Sequence, residues 1–96
     1  MAFLAFEPAG ITPDTIKSDV RSALASGAIT NSGLATSLLA ELNAASDARS
    51  RGQCAVSART YQAFINDVSA QSGKLIASSK ASLLVSEAQF QIDNCP

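Results

Sequence analysis

Cys54 and Cys95 are the only two cysteines in this 96-residue chain, and each stands at one end of an apolar stripe of helical period. Cys54, Ala58, Tyr61, Ile65 and Val68 step four, three, four and three residues, and Ala81, Val85, Ala88, Ile92 and Cys95, flanked by Leu84, repeat those steps. Such spacing lines one face of an α-helix, so the two cysteines lie on facing surfaces if the helices form a hairpin. From Cys54 to Gly73 is roughly 28 Å of helix and from Ser78 to Cys95 roughly 25 Å, at about 1.5 Å per residue. The return leg therefore brings Cys95 back level with Cys54.

A Cys54 to Cys95 bridge would close a loop of about 40 residues and stabilise the fold by about 4 kcal/mol through chain entropy. That is a large share of what a domain of this size has to spare. The rival reading is two buried free thiols, because cysteine packs well as a small hydrophobe. A bridge implies an oxidising compartment, and so an extracellular or cell-surface location. Two thiols in a chain without histidine fall short of a zinc ligand set, and the close Cys-X-X-Cys pair of redox catalysts is absent.

Capping residues divide the chain into four helices. Helix 1 starts with Thr12 as N-cap, Pro13 in the first turn and Asp14 at the positive end of the dipole, with Ile11 and Ile16 as a hydrophobic staple. Its stripe is Ile16, Val20, Ala23 and Leu24, and Gly27 suits the left-handed position that ends it. Helix 2 starts near Thr30 or Asn31 and runs to about Arg51, with Leu34, Leu38, Leu42 and Ala45 inward, widened by Ala35 and Leu39. Helix 3 spans about Gln53 to Ser72, and helix 4 about Ser78 to Asn94. Ala77 is a poor N-cap for helix 4, and Ser78 or Ser79 is the expected substitute. Short connections make consecutive helices neighbours, so the expected fold is all-α: an antiparallel up-down-up-down four-helix bundle over residues 12–96.

Residues 1–11 read as an extended lead-in, with Phe3, Leu4 and Phe6 ahead of Pro8 and Gly10. The apolar run lacks a basic flank and is too short to span a bilayer, so it is read as neither signal peptide nor membrane anchor. It could be the last strand of a preceding domain, with Met1 an added start and any export signal upstream.

Composition argues against several function classes. Seven basic and eight acidic residues are scattered along the chain for a formal net charge of −1, which offers no field to hold nucleic acid. Without histidine the commonest general base is missing. The acids Asp14, Asp19, Glu41, Asp47, Asp67, Glu87 and Asp93 do not cluster in sequence and read as solvated surface, Glu41 and Asp47 on the outer face of helix 2. No calcium loop or phosphate loop is present, no cofactor is implied, and no catalytic residue or metal ligand is assigned. Lys74, in the Ser72-Gly73-Lys74 turn, and Phe90, off the main stripe of helix 4, are the candidate surface contacts. A helix dipole accounts for Lys74 as well, and packing against Phe3 and Phe6 would account for Phe90. Tyr61 and Phe64 read as core.

The run from Tyr61 to Lys74, Tyr-Gln-Ala-Phe-Ile-Asn-Asp-Val-Ser-Ala-Gln-Ser-Gly-Lys, resembles the FIMAH domain, a helical module found toward the C-termini of multidomain extracellular bacterial and archaeal proteins. The likeness extends through Ile76, Ala81 to Gln89 and Ser37 to Ala45, covering about Thr12 to Cys95. It implies a non-catalytic accessory domain, C-terminal in a larger secreted protein, acting as spacer, cap or attachment module. Its partner would be the neighbouring domain of the parent protein, with a cell-surface or glycan partner unidentified. Two other readings use the same helices: a carrier of a small apolar ligand, or a dimerisation module using Leu39, Leu83 or Phe90.

Overall fold

The computed structural model describes residues 11–95, which form four helices: α1 Pro13–Ser26, α2 Ser32–Ser50, α3 Cys54–Gln71 and α4 Ser78–Asp93. The lead-in residues Phe3, Leu4 and Phe6 lie outside the described residues. Thr12 caps α1 through a reciprocal box with Thr15, in which each side chain accepts from the other's backbone N–H. Gly27, at φ +86°, ends the helix in the left-handed region that a side chain resists. Asn31 rather than Thr30 caps α2, its Oδ1 accepting from the Leu34 N–H at 2.8 Å.

Ala77 holds the cap position of α4 with no side-chain bond, and neither Ser78 nor Ser79 substitutes for it. Backbone anchors that end instead. The Ala77 N–H donates to the Ala28 carbonyl at 2.8 Å, and the Thr30 N–H donates to the Leu75 carbonyl at 2.9 Å. Between them Ile29 and Ile76 form an isolated β-bridge, and both side chains are buried. The α1–α2 and α3–α4 connections are thus stitched together.

Helix neighbours run in a ring, α1 with α2, α2 with α3, α3 with α4 and α4 with α1. The core they enclose is led by Tyr61, Phe64, Ile16, Leu38, Leu42 and Leu84. The expected inward stripes hold for α2 at Leu38, Leu42 and Ala45, with Leu34 and Leu39 half-buried. Leu24, expected inward on α1, is exposed, because the buried stripe ends at Ala23. On α3 the buried face is Ser57, Tyr61, Phe64, Ile65 and Val68, and Ala58 is only half-buried. On α4 it is Ala81, Leu84, Glu87, Ala88 and Gln91, and the expected Val85 and Ile92 are half-buried. The reason is that α4 touches both α3 and α1, so its buried arc centres on the side between them rather than on the purely apolar line. No described helix is long and apolar enough to cross a membrane.

Candidate functional site

The cysteines are joined: Cys54 and Cys95 form a disulfide with their Cα atoms 5.9 Å apart, across 41 residues of sequence. The separation lies at the centre of the range that unstrained bridges occupy. Polar side chains gather at the same end of the molecule. Arg49, in the last turn of α2, donates from Nη2 to the Asn94 carbonyl at 3.1 Å. Gln91 donates from Nε2 to the Ile11 carbonyl at 2.7 Å, tying the entry of α1 to the last turns of α4. Ser57 Oγ, Tyr61 OH, Arg49 Nε and Gln91 Oε1 are buried and meet no hydrogen-bond partner among the described residues. Burial pushes the Tyr61 phenol up, and the Arg49 charge opposes that rise.

The proposed surface contacts fall apart from one another. Lys74 is exposed in the α3–α4 connection, where its backbone N–H donates to the Gln71 carbonyl at 2.9 Å. Phe90 is half-buried near the end of α4, so only part of its ring reaches solvent. Nothing brings Lys74 and Phe90 into one site. Tyr61 and Phe64 are core residues without exposure, as expected.

The structure departs most from the sequence reading at the acids. Glu87, expected on the surface, is only 4% exposed. It lies on the buried face of α4, and the Asp19 carboxylate of α1 is the acidic neighbour that adds to the effect of its burial. Glu41, expected on the outer face of α2, is half-buried, with the exposed Asp67 of α3 as its acidic neighbour. One oxygen of each glutamate, Oε1, is buried and meets no donor among the described residues. A hydrogen bond between two carboxyl groups exists only when one of them carries a proton.

Loss of hydration first, then the hydrogen bond and charge of the partner aspartate, raise both glutamates to about 7. At Glu87 the Lys80 ammonium works in the opposite direction. The signal for these pairs was present in the sequence, though faint. Asp19 stands three residues after Ile16 and four before Ala23, and Glu87 three after Leu84 and four before Gln91, so each shares a face with buried positions.

A protonated carboxyl beside a carboxylate is also the equipment of acid catalysts. Reaction needs access, however, and a nearly inaccessible Glu87 cannot meet a substrate. An open groove of about 350 Å³ among the described residues is lined by Ser69 and Ser72 of the α3 end and by Ala81, Ser82 and Val85 of α4. None of its lining residues is charged, and neither glutamate belongs to it. Among the described residues no group of three or more histidine, cysteine or acidic side chains is placed to hold a metal ion. Fold and site together define a small all-α domain closed by one disulfide. No family model matches the chain, and comparison with curated proteins and with solved structures returned no significant match.

Proposed function

We propose that this chain is a non-catalytic structural or interaction module of a larger secreted protein, serving it as spacer, cap or attachment domain. The observation that carries this reading is the separation of chemistry from access. Glu87 is buried, Glu41 has one carboxylate oxygen buried, and neither lines the open groove, which offers hydroxyls and small apolar side chains. The Cys54–Cys95 bridge supports an oxidising, extracellular setting, and the likeness of Tyr61 to Lys74 to FIMAH modules supports the accessory role. An up-down-up-down order of helices is supported by the ring of neighbours and by the stitched connections. In this arrangement both chain-reversing turns that carry Ile29 and Ile76 share one end, and the bridge holds the other.

The test is turnover. Purified protein offered a panel of chromogenic esters, glycosides and peptides should give rates equal to buffer. Turnover by the wild type that disappears in Glu87→Gln or Glu41→Gln would make the domain an enzyme and overturn the reading. Co-sedimentation with intact bacterial cells or insoluble cell-wall glycan then sorts the roles, because retention selects attachment and recovery in the supernatant selects spacer or cap.

A further inference from the structure

Three parts of the chain converge on residues 91–95, at the end of α4. Gln91 Nε2 donates to the Ile11 carbonyl at 2.7 Å, Arg49 Nη2 donates to the Asn94 carbonyl at 3.1 Å, and Cys54 is bonded to Cys95. The entry of α1, the last turn of α2 and the first residue of α3 are thus fastened within about one turn of each other. Hydrogen bonds hold the first two, and a covalent bond holds the third. Ile11, where the chain enters the bundle, therefore sits beside the place where it leaves.

That arrangement divides the chain for a pull between Ile11 and Cys95. Tension runs through α1 and α2 to Cys54 and crosses the bridge to Cys95. The helices α3 and α4 lie inside the loop that the bridge closes and carry none of it. The segment under tension begins with the helix that is packed least: α1 buries three side chains, Ile16, Val20 and Ala23, whereas α2, α3 and α4 bury five each. Its polar ties to its neighbours include the Gln91 bond at Ile11 and the bond from Lys17 Nζ to Ser46 Oγ at 3.0 Å. Because entry and exit share one end, the pull acts across the helix axis. Contacts of α1 then open turn after turn from the Thr12 end, which takes less force than breaking them together.

We propose that the domain is an extensible spacer with a covalent stop: tension between its neighbours in the parent protein draws out α1 and then α2, and the Cys54–Cys95 bond ends the lengthening at Cys54. The drawn segment, residues 12–53, reaches about 150 Å at about 3.5 Å per residue. The bridge keeps α3 and α4 together, with Tyr61, Phe64 and Leu84 of their core faces held as the surface to which α1 and α2 return when tension falls. The proposal rests on the reading of the chain as a module of a larger protein, and among the roles of that module it selects the spacer.

Stretching the full 96-residue chain in optical tweezers, held through cysteine-free peptide tags at its two termini, tests the stop. Oxidised wild type should lengthen by about 150 Å, resist further extension, and shorten again on relaxation. Wild type in dithiothreitol and the Cys54→Ser/Cys95→Ser variant should both lengthen by about 290 Å. The reductant arm uses the wild-type sequence, so the comparison does not depend on how the variant folds. Lengthening of the oxidised chain well beyond about 150 Å, a length that reduction leaves unchanged, or a drawn chain that does not shorten on relaxation overturns the proposal. This measurement and the turnover assay fail separately. A catalytic domain would still stop at the bridge, and an inert one without the stop would run to full length.

Discussion

The two ends of the bundle solve the same problem by different means. At the turn end, where α1 meets α2 and α3 meets α4, the chain is held by main-chain hydrogen bonds and two buried isoleucines: Ala77 to Ala28, Thr30 to Leu75, and Ile29 beside Ile76. At the other end, where the starts of α1 and α3 meet the last turns of α2 and α4, a covalent bridge is joined by side-chain bonds from Arg49 and Gln91. Backbone bonds tolerate nearly any residue that accepts the local conformation, which is why the unpromising Ala77 serves as a helix start. Side-chain and covalent ties depend on residue identity. The polar end also carries buried atoms of Ser57, Tyr61, Arg49 and Gln91 that meet no partner among the described residues, which costs stability that the bridge helps to offset.

This contrast can be broken from either side. Replacing both cysteines by serine should have the largest effect, a loss of about 4 kcal/mol in denaturant unfolding, since it frees a loop of 41 residues. Ile76→Ala at the turn end should cost about 3 kcal/mol, from lost burial and the cavity left behind. The two changes lie at opposite ends of the fold, so in combination they should add to within about 0.5 kcal/mol. A markedly non-additive result would mean that the ends act as one unit, and the comparison would fail.

Legibility followed the same division. The caps of α1, the stop at Gly27 and the pairing of Cys54 with Cys95 were readable because each depends on residue types at fixed spacing. The stitched turns were not, because nothing in the residues around Ala28, Thr30, Leu75 and Ala77 announces a main-chain bond between distant connections. The seam of α4 was read about one residue step off, toward Val85 and Ile92, because periodicity favours the apolar line and ignores a buried glutamate. Glu87 and Glu41 read as surface in the sequence because a single chain does not show which carboxyls the neighbouring helices cover. A carboxyl spaced in register with buried positions is the pattern that single-helix periodicity undervalues. The candidate contacts Lys74 and Phe90 were reasonable by exposure and chemistry, yet the fold sets them in no common site.

Native-state hydrogen exchange with and without reductant tests the central claim, that one end depends on the bridge and the other on the backbone, most directly. Reduction should raise exchange at the amides of Gln53, Ser57 and Asn94, which lie beside the bridge. The amides of Ile29, Thr30, Ile76 and Ala77 should keep most of their protection. Uniform loss of protection at both ends, or none at the bridge end, would contradict the account.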